Sequence, residues 1–123
     1  MDYPETYENN LLKITLQEAE KTIEVKWNGK SVERDPSIFI MPILLKVLEM
    51  SSESGKTIRI DFTELEYMNS STITPIIKIL ERAKRGNTSL KVVYKKSLKW
   101  QDLSFSALEL FQTTDQRVEI QGL

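Results

Sequence analysis

The sequence contains no cysteine and no histidine. The first absence excludes disulfides, thiol nucleophiles and thiolate metal sites. The second removes the commonest general base, every Ser-His-Asp arrangement and most zinc sites. An enzyme built on this chain would have to work with carboxylates, Lys or Tyr, so the expectation is that it is not an enzyme and needs no metal or organic cofactor. Glycine is scarce as well, at four residues, and neither G-x-G-x-x-G nor G-x-x-x-x-G-K-S/T occurs. A nucleotide cradle is therefore not expected. No apolar run approaches the roughly 20 residues of a membrane helix. The opening MDYPETYENN is acidic and polar, unlike the basic and then apolar start of a secretory signal. The expectation is a cytoplasmic protein with no membrane partner. An excess of one charge is also missing. Seventeen Lys and Arg stand against 18 Asp and Glu, for a formal net charge of -1, which gives no general pull toward nucleic acid.

What is present suits one domain. The chain has 123 residues, 40% of them apolar, enough for a core but not for two ordinary domains. Residues 1–10 read as a loose polar segment and 11–123 as a single domain. Leu12, Ile14 and Leu16 alternate with polar residues, as do Ile23, Val25 and Trp27. The short connection between them suggests an antiparallel hairpin. Asn28-Gly29 reads as a turn, or as the bend where the chain leaves the sheet. Asp35-Pro36 reads as the N-cap and first position of a helix. Its apolar face would be Ile38, Met41, Leu45 and Leu48, its stop Gly55, and Pro42 would delay or kink it. Ile58, Ile60 and Phe62 alternate in a third strand, and residues 63–71 read as a loop. A second helix carries Ile73, Ile76, Ile77 and Leu80, and closes on Arg82, Lys84, Arg85 and Gly86. Leu90, Val92, Val93 and Tyr94 form a nearly continuous apolar strand, the pattern of a strand covered on both faces. Trp100, Leu103, Ala107, Leu110 and Phe111 make a third helical stripe, and Val118 and Ile120 a last short strand. The order β-β-α-β-α-β-α-β predicts an α/β fold. Its central sheet would be mostly parallel, with an N-terminal antiparallel hairpin and about three packed helices.

The informative stretch is IRIDFTELEYMNSSTITPIIKIL, residues 58–80. Pro75 has no amide hydrogen and belongs in the first turn of a helix, where donors are unpaired anyway. The N-cap is then Thr72 or Thr74, or less comfortably Ser71. Either way Ser70 and Ser71 fall at or just before a helix N-terminus, whose free N–H groups favour an anion such as phosphate. From local pattern alone, helix capping without further function is the commoner reason for Ser and Thr at this place.

This segment resembles the region of STAS domains in which a strand of the type LDLSGVxFIDSSG runs into the second helix. Asp61 matches the acidic residue at the strand end, Tyr67-Met68 the apolar pair, and Asn69-Ser70-Ser71-Thr72 the D-S-S-G. The element order matches from about Leu11 to Leu123. Anti-sigma factor antagonists of that family are bacterial regulators. A partner kinase phosphorylates a Ser or Thr after the Asp, and the unphosphorylated form binds the partner. The resemblance therefore implies a protein-interaction module with a partner of the kinase, anti-sigma or phosphatase type. Ser70 is the first phosphorylation candidate and Ser71 the second. Tyr67, Asn69, Ser70, Ser71 and Thr72 are the candidate partner-binding residues. Two positions depart from the pattern: Asn69 stands for Asp and Thr72 for Gly. A phosphorylation-independent structural or oligomerisation domain is the alternative. A small enzyme using Asp61, Glu64 and Glu66 ranks last, because no base or phosphate loop accompanies those carboxylates. Lys91, Lys95, Lys96 and Lys99 with Tyr94 and Trp100 could suggest a nucleic-acid surface, but the balanced charge favours a solvated strand end. Trp27 reads as core, and Trp100 as core or interface anchor.

Overall fold

The computed structural model describes residues 4–123. Its strands are β1 Glu5–Asn9, β2 Leu12–Glu18, β3 Thr22–Ser31, β4 Thr57–Met68, β5 Leu90–Tyr94 and β6 Val118–Gly122. They form one sheet in the order β1-β2-β3-β4-β5-β6. The first two pairings are antiparallel and the last three parallel. The helices are α1 Ser37–Ser54, α2 Ile73–Arg85 and α3 Lys99–Ser106, with 3₁₀ turns at Ser70–Thr72 and Ala107–Phe111. The expected α/β class, hairpin and three helices are all there. One addition corrects the expectation of a loose start. Residues 5–9 are a strand paired along β2, while positions 1–3 of that segment lie outside the described residues.

The topology explains where the core lies. All three parallel connections step the same way across the sheet, and such crossovers are right-handed. The three helices must then pack on one face. The inward residues Leu12, Ile14 and Leu16, Ile23, Val25 and Trp27, and Ile58, Ile60 and Phe62 all join one buried cluster with residues of α1, α2 and α3. The alternation read from the sequence is thus the alternation observed. The other face is polar. Glu24, Lys26, Arg59, Asp61, Lys91 and Glu119 stand on it, in pairs such as Arg59–Glu24 at 2.9 Å and Lys91–Glu119 at 3.5 Å. The apolar run of β5 therefore does not mean helices on both sides. Val93 is buried at 1% exposure but stands apart from the core cluster, with Asp61 and Gln121 beside it in register.

Two strands run further than expected. β3 continues through Asn28-Gly29 to Ser31, because the residues after Trp27 form a bulge against β4 and do not turn away. Gly29 has φ +93°, and a Cβ there would lie 2.0 Å from the Leu11 carbonyl oxygen, so no other residue fits. β4 continues through the stretch read as a loop. The irregular register shifts its alternation, so that Phe62 and Leu65 both reach the core. Beyond Asp61 no β5 partner runs alongside β4. The fully buried Gln101 takes over. Its Nε2 donates to the Phe62 and Leu65 carbonyls at 2.7 and 2.8 Å, and its Oε1 accepts from the Lys95 amide at 2.7 Å.

Two helical faces differ from their expected positions. α1 runs from Ser37 straight through Pro42 and buries Ile40, Ile43, Leu44, Val47 and Ser51. Ile38 and Leu45, expected inside, are 75% and 40% exposed. Segment 38–48 is apolar around most of its circumference, so periodicity alone does not choose a face. Pro42 is tolerated because it lies on the exposed side, where water can serve the carbonyl it leaves unpaired. Asp35 makes no side-chain cap; the first turn is closed on the Pro36 carbonyl. Gly55 ends α1 in the left-handed conformation, as expected. In α3 and the turn after it, Gln101, Phe105 and Leu108 point inward, while Leu103 and Leu110 are exposed. Trp27 is fully buried and edge-on to Phe62 at 4.9 Å. Trp100 is half-buried against Phe105.

Candidate functional site

β4 delivers the chain to the C-terminal end of the parallel strands at Met68, and α2 carries it back. Between them residues 69–72 make a tight turn whose conformation is fixed by one connected set of buried and half-buried hydrogen bonds. Asn69 Oδ1 accepts from the Thr72 amide at 3.2 Å and from Thr72 Oγ1 at 2.7 Å. Asn69 Nδ2 donates to the Glu33 carbonyl at 2.8 Å, and the Asn69 amide to the Ser31 carbonyl at 3.0 Å. Thr72 Oγ1 also lies 2.7 Å from Ser31 Oγ. A hydroxyl has one proton to give. Thr72 gives its own to Asn69, so Ser31 is the donor in the last contact. The arrangement ties the ends of β3 and β4 to the start of α2.

This clasp accounts for both departures from the D-S-S-G pattern. Asn69 caps the turn as a carboxylate would, and its amide also donates to Glu33, which an ionised Asp cannot do. Thr72 is fully buried, and its hydroxyl is satisfied on both sides. It is a structural member of the turn and not part of an exposed binding surface. Thr72, one of the expected positions, is the N-cap of α2 but makes no side-chain cap bond; the capping bond comes from Asn69, at the head of the 3₁₀ turn. Pro75 lies in the first turn of α2, as its chemistry requires.

The clasp leaves two side chains outside it. Ser70 and Ser71 are both exposed, adjacent, and seated on the 3₁₀ turn that leads into α2. Tyr67 is 48% exposed at the end of β4. Of the five candidate residues, Tyr67, Ser70 and Ser71 therefore present themselves outward, whereas Asn69 and Thr72 hold the turn.

Asp61 belongs elsewhere. β4 does not end there, and its carboxylate accepts from the Thr63 amide and hydroxyl at 2.8 and 2.7 Å and lies 3.8 Å from Arg59. It stands on the polar face of the sheet, already engaged. Among the described residues no group of three or more His, Cys, Asp or Glu is placed to hold a metal ion. Tyr94, which could have served a nucleic-acid surface, is buried, with its hydroxyl 3.3 Å from Asp102. Burial, and then the nearby Asp102 carboxylate, raise its pKa. No helix of the described residues is long and apolar enough to cross a membrane.

Sequence reasoning missed Ser31 and Glu33. No local pattern marks them: Ser31 is 41 residues from its partner Thr72, and Glu33 contributes a backbone carbonyl, which any residue has.

No protein-family model matches the chain, and no curated protein matches it. Among solved structures it is similar to the crystal structure of an uncharacterised protein of the DUF3478 family with a SpoIIAA-like fold, from Shewanella loihica PV-4. The TM-score is 0.52 at 18% identity, over 100% of this chain and 90% of that one. At such identity the likeness speaks for the fold. The chain has a SpoIIAA-like fold, the STAS or anti-sigma antagonist fold that the resemblance implied.

Proposed function

We propose that this chain is a regulatory protein-binding module of STAS type. Its partner face is the exposed Ser70-Ser71 turn with Tyr67 beside it, and phosphorylation of Ser70 switches it. The observation that carries the reading is the division of labour within residues 69–72. Asn69, Thr72 and Ser31 fix the turn so that its two serines need take no part in holding it, and an exposed side chain on a rigid turn is what a modifying enzyme or a docking partner can reach. The partner on this reading is a kinase, anti-sigma or phosphatase type protein, as for the bacterial anti-sigma antagonists. The module acts in the cytoplasm and without a cofactor. On this reading it is not an enzyme, and the Asp61 carboxylate is already engaged by Thr63 and Arg59.

The mechanism is electrostatic. A phosphate adds about -1.5 to -2 charges at pH 7. In the free protein that charge stands at the amide end of α2, whose dipole favours it, so the fold stays intact. At an interface the same charge must be stripped of water or meet the partner's own acids, and binding weakens. The test uses the partner captured from the native cell. Ser70→Asp is expected to lower its affinity with the melting temperature nearly unchanged. Ser70→Ala is expected to retain binding and to lose the modification seen by mass spectrometry. Equal binding by Ser70→Asp and wild type, with no phosphate on either serine, would sink the switch.

A further inference from the structure

The two edges of the sheet are finished differently. At β6 the outer backbone is occupied by the segment before it. The Val118 amide donates to Thr113 Oγ1 and the Ile120 amide to Gln112 Oε1, both at 3.0 Å, and the Thr113 amide donates to the Val118 carbonyl at 3.1 Å. At β1, among the described residues, no backbone group of Glu5–Asn9 has a partner on the outer side. A bare edge is a template for another strand. Beside it an apolar groove of about 340 Å³ opens between Tyr7 and the outer side of α1, lined by Ile38, Phe39, Pro42, Ile43 and Lys46. Ile38 is 75% exposed there. Ile38, which sequence periodicity assigned to the core, thus borders a strand edge on which none of the described residues lies.

The chemistry of β1 narrows what can dock. A two-residue turn joins β1 to β2, with Asn9 opposite Leu12. Counted from that turn, the backbone groups of Glu5, Tyr7 and Asn9 face β2, and those of Thr6 and Glu8 face outward. A second copy of the strand, added antiparallel, must match outward residues with outward residues. Glu8 against Glu8 sets like charges face to face. Thr6 against Thr6 places Glu8 opposite Pro4, which has no amide hydrogen to give. Thr6 against Glu8 has neither defect. It sets Glu5 against Asn9 and brings the two Tyr7 side chains together at the two-fold axis. Tyr7 lies opposite Ile14 and so on the helix face, where the groove opens. The same operation therefore brings the two Ile38–Pro42 stripes together above the tyrosines. A two-fold contact has to be self-complementary, and this register is.

We propose that the β1 edge and the outer face of α1 take a second copy of this chain. The result is a dimer with a continuous sheet in which β1 pairs antiparallel with β1, Thr6 opposite Glu8. The chain has no cysteine, so one introduced cysteine reports the register. Tyr7→Cys would face itself across a non-hydrogen-bonded pair, with Cα atoms about 4.5 Å apart, a separation a disulfide can span. Sedimentation of the full wild-type chain at micromolar concentration is expected to give a two-chain mass. Ile38→Lys, and separately Thr6→Pro, which removes an outward amide, are expected to give a one-chain mass with unchanged circular dichroism. Tyr7→Cys should oxidise to a linked dimer while Lys13→Cys, on the polar face, does not. A one-chain mass for the wild type overturns the proposal and leaves the edge to another occupant. A two-chain mass that survives both Ile38→Lys and Thr6→Pro overturns it too, because the contact then lies elsewhere.

Discussion

α1 and α2 do the same structural work and are built differently. Each returns the chain across one face of the sheet between parallel strands. α2 buries Ile76, Ile79, Leu80 and Ala83 and turns Lys78, Glu81, Arg82, Lys84 and Arg85 outward. α1 buries Ile40, Ile43, Leu44 and Val47, yet its outer side still carries Ile38, Pro42 and Leu45. Packing against the sheet explains the inner face of both. Nothing in the monomer requires the outer face of α1 to be apolar. The difference teaches that one helix is finished by folding, while the other keeps apolar surface of the kind that marks an interaction site. Their starts differ as well. The turn into α2 is capped by the Asn69 side chain and reinforced by Thr72 and Ser31, whereas α1 begins with no side-chain cap.

The sharpest test sets neighbours on α1 against each other. Leu44→Ala, at a fully buried site, should cost about 2–5 kcal/mol of unfolding free energy in urea titration. Leu45→Ala, one residue on, should cost about 0.5 kcal/mol or less. In α2 the pair Ile79→Ala and Lys78→Ala should divide the same way. Equal losses at Leu44 and Leu45, measured in the one-chain Ile38→Lys background, would mean that both sides of α1 are packed in the monomer, and the contrast with α2 would disappear.

A smaller effect is expected where the helices begin. Asn69→Ala removes a cap and should cost about 0.5–2 kcal/mol, with Thr72 left to Ser31 alone. Asp35→Ala, which removes no capping bond, should leave the denaturation midpoint in place. If the two variants lose the same stability, the clasp at the start of α2 is not what distinguishes it.

The smallest effect concerns the exposed rim of α1. Lys46 Nζ lies 2.8 Å from Glu5 Oε1 and 3.0 Å from Tyr7 Oη. The hydrogen bond from Lys46 lowers the Glu5 pKa below its ordinary 4.5. A carboxyl lowered by folding contributes stability above its ordinary pKa, and that contribution is lost as pH falls through the lower, folded value. Both side chains are about half exposed, and such pairs contribute little. The change should escape thermal melts and show in the NMR titration of Glu5, whose midpoint should rise in Lys46→Ala. An unchanged midpoint would show that the pair does not form in solution.

Periodicity and chain chemistry alone determined the inward faces of β2, β3 and the first half of β4, the amphipathic α2, the place of Pro75, and the stop at Gly55. In each case a residue three to five positions away, or the alternation of the strand, fixes which side is apolar or which conformation is allowed. The same local reasoning located Ser70 and Ser71 in a turn at the start of α2. Tertiary structure decided the rest. α1 is apolar nearly all round, so only the position of the sheet could choose Leu44 over Leu45. β4 runs past Asp61 because bulges and Gln101, distant in sequence, satisfy backbone groups that would otherwise have ended the strand. The roles of Asn69 and Thr72 were hidden for the same reason. Their partners come from the end of β3, and a hydrogen bond across 41 residues leaves no mark on the sequence beside either end.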